Sequence, residues 1–212
     1  MIGLANLLAF LGLLTALLVV WRQSRPGRLR LFALQSALLA ALAVVIALFS
    51  GHHDLLGVAV VFAVIKVGVI PRVLARITFG TVRPVTPGRS VGIALLVAGA
   101  LVVVSYVIML PVTTVTSLPT AGAIPLAFAA ALIGLFVCVR GRDAFTHILG
   151  FLIFENGVFG LALLGAYGLP LIVEAGVFLD VLVIVLIMEG VVVQIRREHA
   201  SIEVDRLREL RG

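Results

Sequence analysis

From Ile2 to Trp21 the chain runs without a charged side chain. A helix rising about 1.5 Å per residue needs a run of this kind to cross the roughly 30 Å of a bilayer's hydrocarbon. Six further stretches are predominantly apolar over a similar length: Arg30 to Ser50, Leu55 to Ala75, Val91 to Leu110, Ala121 to Val139, Phe145 to Tyr167 and Leu169 to Gln194. The runs are continuous, so they predict helices; a membrane barrel would need strands of about ten residues with apolar side chains at alternate positions. With 62% of 212 residues hydrophobic and 12% charged, the chain has too little polar surface to cover these runs in water. The expected fold is all-α, a polytopic integral membrane protein of about seven transmembrane helices.

The arginines support that count. A net charge of +6 can signal nucleic-acid binding, but these charges alternate with the apolar runs. Arg22, Arg25, Arg28 and Arg30 follow the first span, and Arg72, Arg76, Arg83 and Arg89 the third. Arg140 and Arg142 follow the fifth; Arg196, Arg197, Arg206, Arg208 and Arg211 follow the seventh. The intervening loops around His52, Thr114 and Gly168 carry no Lys or Arg. The positive-inside rule then puts the N-terminus outside and the C-terminus in the cytoplasm, an arrangement that requires an odd number of spans. The expected location is the plasma membrane, with the lipid bilayer and not nucleic acid as the partner. No basic residue precedes the first run and no small-residue cleavage site follows it, so that helix is expected to be retained.

One cysteine, Cys138, excludes an intrachain disulfide, a four-cysteine iron–sulfur site and a thiolate zinc cage. His52, His53 and Asp54 are adjacent in a short outer loop without ligand spacing and read as surface. No phosphate-binding loop, nucleophile elbow or metal-binding helix pair is present, so the chain is not expected to be an enzyme by itself. Pro71 falls near the end of the third span and Pro170 at the start of the seventh; only Pro125 falls inside one, where it predicts a kink.

Ionisable side chains at bilayer depth cost at least about 2.5 to 3.5 kcal/mol each on insertion scales, so those present need a reason. Lys66, Glu155 and Asp180 fall near the middle of the third, sixth and seventh spans. Counting the helical rise puts all three about 15 Å deep. At one depth they can pair and shift each other's proton affinity, or serve as steps of a proton relay; a static buried pair that fixes helix packing is the alternative. Glu174 and Glu189 flank Asp180 but lie on a different helix face. Glu174 either extends a hydrated path or sits at the interface, and Glu189, close to Arg196 and Arg197, reads as interfacial. His147, four residues after Asp143, either passes protons toward Glu155 or is an interfacial histidine capped by its neighbour. Asn156 is a hydrogen-bonding candidate for another helix.

The stretch Ile148-Leu-Gly-Phe-Leu-Ile-Phe-Glu-Asn-Gly-Val158, followed by Pro170-Leu-Ile-Val-Glu-Ala-Gly-Val-Phe-Leu-Asp180, resembles the hydrogenase-4 component E (HyfE-like) family, and Ser201-Ile-Glu-Val-Asp-Arg-Leu-Arg-Glu-Leu adds to the likeness. The resemblance implies a membrane subunit without cofactor or redox centre, in assemblies related to group 4 nickel–iron hydrogenases, formate hydrogenlyase and respiratory complex I. Its implied partners are antiporter-like and hydrogenase-like membrane subunits. It also implies that residues 121–194 are similar to the small three-helix subunit of complex I and to component C of multisubunit sodium/proton antiporters. Residues 1–120 would then add four helices and residues 195–212 a charged cytoplasmic tail. By that likeness Glu155 and Asp180 resemble the small subunit's two midplane carboxylates, and with Lys66, Glu174 and His147 they are the candidate proton or cation path. A stand-alone small ion transporter and a structural scaffold for antiporter-like subunits are the alternatives.

Overall fold

The computed structural model describes residues 2–50, 54–78, 91–116 and 118–166. Among them every regular element is helical. α1 (Ile2–Trp21) and α2 (Arg25–Ser50) are joined by three residues. Pro26 sits in the first turn of α2, where its missing N–H costs little. Arg28 closes the corner, its Nε donating to the Arg22 carbonyl at 2.6 Å, beyond the end of α1.

The third expected span is a continuous helical run with an irregular middle. α3 (Asp54–Phe62) passes into a π-helical segment (Ala63–Val69) and then α4 (Ile70–Thr78). The Ile70 N–H donates to the Ile65 carbonyl, five residues back. Pro71 supplies a cause: it has no N–H for Val67, and its ring presses on that carbonyl, which favours a loosened turn just before it.

α5 (Val91–Val115), a 3₁₀ turn (Ala121–Ala123), α6 (Ile124–Arg140) and α7 (Ala144–Ala166) complete the described fold. Two proline expectations need correction. α5 continues five residues past Leu110, through Pro111. Near the helix end, Thr113 and Thr114 donate to the Leu110 and Pro111 carbonyls at 3.0 and 3.1 Å. Pro125 lies in the first turn of α6, after the 3₁₀ turn, so it starts that helix and does not kink a span.

Among the described residues, five helical stretches are long and apolar enough to cross a membrane: α1, α2, α5, the 3₁₀ turn with α6, and most of α7. The expected seventh span and the tail, with Glu174, Asp180 and Glu189, lie outside the described residues, as do His52 and His53. Among the described residues α6 and α7 form the most extensive helix pair; α1 and α2 pack together and against them, with α5 alongside α6 and α1. Leu96 and Val107 of α5 point outward, as apolar side chains can where the solvent is hydrocarbon.

The α6–α7 contact is built on small residues. A Cβ at Gly134 would strike the Phe154 backbone, one at Gly150 the Cys138 backbone, and one at Gly157 the Ala131 backbone. Gly150 and Gly157 are seven apart, as are Ala131 and Cys138, so the seam repeats every two turns on both helices. This places Cys138 in a packing seam, half-buried. Above the seam, Thr120 donates to the Leu164 carbonyl at 2.7 Å. That bond ties the approach to α6 onto the far end of α7.

Candidate functional site

The π-helical segment presents Lys66 inward, where it is wholly buried. Its Nζ lies 3.2 Å from Glu155 Oε2 of α7, whose side chain is 3% exposed. The same ammonium donates to Asn156 Oδ1 at 3.0 Å and stands 4.6 Å from the centre of the Phe62 ring. Phe62 in turn stacks on Phe159 at 4.5 Å between ring centres, so the cation rests on an aromatic wall shared by the two helices. Lys66 is the only lysine of the chain; the other fifteen of its sixteen basic residues are arginines.

Two of the five candidate path residues are thus brought together. Burying two ions costs several kcal/mol each, which close opposite charge and further hydrogen bonds must offset. Here Glu155 supplies the opposite charge, and the neighbouring amide oxygen accepts a hydrogen bond from the ammonium. Because Glu155 and Asn156 are adjacent on α7, one helix turn supplies both partners.

Behind Asn156 lies a second layer that the charged residues gave no hint of. Asn156 Nδ2 donates to Ser36 Oγ at 2.9 Å and to Gln35 Oε1 at 3.3 Å, both on α2. Gln35 Nε2 donates onward to the Gly12 carbonyl of α1 at 3.3 Å. Gln35, Ser36 and Asn156 are all buried. Beside them a cavity of about 30 Å³ opens between α1, α2, α6 and α7, lined by Gln35 and Asn156 among apolar side chains such as Leu13, Leu38 and Leu164. The available sequence signal was the Gln35-Ser36 dipeptide, polar within the apolar run of the second span.

His147 stands apart. It is exposed in the first turn of α7, with Nδ1 3.0 Å from the Asp143 main-chain carbonyl. Eight residues separate it from Glu155, about 12 Å along the helix axis. Asp143 accepts a hydrogen bond from Thr146 Oγ1 at 2.7 Å and lies 3.6 Å from Arg25 Nη2, whose guanidinium also faces the Phe145 ring at 5.9 Å. Both partners of this ion pair are partly exposed. Loss of this ion pair in Arg25→Ala is therefore expected to contribute no more than about 1 kcal/mol to the fall in stability, measured as a shift of the unfolding midpoint in detergent. No group of three metal-ligating side chains occurs among the described residues.

The fold and site define a multi-pass helical membrane protein with a lysine–carboxylate pair at the junction of its N- and C-terminal helices. The chain is 34% identical over 201 residues to uncharacterized protein Rv0085 of Mycobacterium tuberculosis, covering 93% of this chain and 91% of that one. It is 27% identical to hydrogenase-4 component E of Escherichia coli and of Shigella flexneri over 212 residues, 99% of this chain and 98% of each. The chain belongs to one family with the Mycobacterium tuberculosis protein, and it is similar to hydrogenase-4 component E. The likeness runs over nearly the whole length, so it includes the N-terminal helices as well as the Glu155-Asn156 segment. No family model matches the chain, and no solved structure matches it.

Proposed function

We propose that this chain is a non-redox membrane subunit of a hydrogenase-related, complex-I-like assembly, and that Lys66 and Glu155 form part of its proton or cation path. The observation that carries the reading is the buried contact of 3.2 Å between Lys66 and Glu155. Moving a proton from the ammonium to the carboxylate converts –NH₃⁺ and –COO⁻ into –NH₂ and –COOH. The site's net charge is zero before and after. Such a step avoids leaving an isolated ion in a low-dielectric interior, the costliest state available there. Kinship with a protein named as a hydrogenase-4 component supports the assembly part of the reading.

In this reading residues 54–78 cross the bilayer despite their π-helical middle. The residues after α7 add a seventh span, and the N-terminus faces out. Residues 121–194 then act as the small three-helix unit between antiporter-like subunits, with Asp180 and Glu174 continuing the path beyond Glu155 and His147 at its surface end.

The test is donor-driven proton pumping by the purified native complex in liposomes, comparing wild type with Glu155→Gln and Asp180→Asn at matched assembly. Pumping is expected to fall by about a hundredfold with the complex intact. Unchanged pumping would remove these carboxylates from the path, and loss of assembly with normal pumping in the remaining complex would favour a scaffold. Cation movement by the isolated chain would favour a stand-alone transporter.

A further inference from the structure

A protonated lysine has three donors and no acceptor, so the side chain facing it must present oxygen. That single requirement orients the whole polar layer. Asn156 turns Oδ1 to Lys66, which leaves its two N–H groups for Ser36 and Gln35. Gln35 accepts through Oε1 and so must turn Nε2 away, toward the Gly12 carbonyl, which also accepts from Thr15 Oγ1 at 2.7 Å. Every donor in the chain from Lys66 to Gly12 points the same way, across α7 and α2 to α1. Asn156 uses its carbonyl and both N–H groups, so reversing the amide would break three hydrogen bonds together. In an interior of low dielectric, aligned hydrogen bonds also polarise one another.

We propose that Asn156 is a positioning residue of the buried site, locked by Gln35 and Ser36 so that its oxygen aims the Lys66 ammonium at Glu155. It acts through Lys66 and moves no proton itself. The proposal rests on the path reading only for its consequence in transport; the positioning can be tested without it. Gln35 and Ser36 each accept a hydrogen bond from Asn156, so an effect of either on Lys66 that an apolar change nearby does not reproduce is the signature of the lock.

Because Lys66 is the only lysine, ¹⁵N-lysine labelling of this chain within the native complex gives one side-chain ammonium signal free of overlap from the chain itself. In Ser36→Ala and in Gln35→Leu that signal is expected to move, with ammonium protons exchanging with water roughly tenfold faster, the scale of a weakened hydrogen bond to a charged group. Leu38→Ala, an apolar change beside the same cavity, is expected to leave it in place. An unmoved signal in both polar variants overturns the proposal, and so does an equal response to Leu38→Ala, which would mean general loosening of the packing. Ser36→Ala removes a single oxygen and keeps the test available where Gln35→Leu fails to assemble. Pumping by the same samples separates the two claims. A displaced Lys66 signal with undiminished pumping leaves the positioning intact and overturns the path reading instead.

Discussion

Lys66→Met is expected to destabilise the purified protein by about 3–5 kcal/mol, a larger loss than any surface change in this chain should give. The reason is asymmetric. The pair itself contributes little net stability, since the desolvation of two ions nearly cancels their attraction, but removing one ion leaves Glu155 facing a site built for a cation. The double variant Lys66→Met/Glu155→Leu should recover most of the loss. It should not recover all of it, because Asn156 Oδ1 keeps no donor in place of the ammonium, and an orphaned buried acceptor costs about 1–3 kcal/mol. A double-mutant cycle on unfolding midpoints in detergent checks both statements. Simple additivity of the single changes would mean that Lys66 and Glu155 do not depend on one another energetically.

The parts of this site differed in how far the sequence could disclose them. Lys66 and Glu155 were legible because a charge inside an apolar run is costly wherever the run lies in a bilayer, and because helical rise converts residue number into depth. Their contact was not legible: depth says nothing about which helices are neighbours, and side-chain contact depends on rotation about each helix axis. Rotation is what the π-helical segment around Lys66 alters, and no propensity pattern announces such a segment, although Pro71 marked the place. Gln35 and Ser36 were passed over because neutral polar side chains are cheap enough in a membrane helix to need no explanation of their own. They acquire one once Asn156 is seen between them and the ammonium.

Pro125 failed for a different reason. The run from Ala121 reads as one uniform helix by hydropathy, but its first three residues form a 3₁₀ turn. That places the proline in the first turn of α6, where it favours the helix. The described site draws on both sides of residue 120. Lys66, Gln35 and Ser36 come from one side of it, Glu155 and Asn156 from the other, and α1 and α2 pack directly on α6 and α7.

Gly157→Leu is expected to abolish the α6–α7 contact and with it the site, although no charged or polar group is touched. The next residue after Asn156, Gly157 lies against the Ala131 backbone so closely that even a Cβ has no room. Backbone cannot yield as a flexible side chain does, so the helices must separate. Overpacking an interior contact costs about 1–3 kcal/mol, and occasionally more, and a leucine set against backbone belongs at the upper end. Separation would also carry Glu155 and Asn156 away from Lys66, since both ride on the displaced helix. Gly99→Ala is the matching control: its Cβ meets nothing within 4 Å, and alanine is the better helix former, so stability should hold or rise slightly. The measurement is the amount of each variant recovered in the native complex, read together with its unfolding midpoint. Normal recovery of Gly157→Leu would mean that α6 and α7 do not meet along the Gly134, Gly150 and Gly157 seam, and the geometry that joins Lys66 to Glu155 would fall with it.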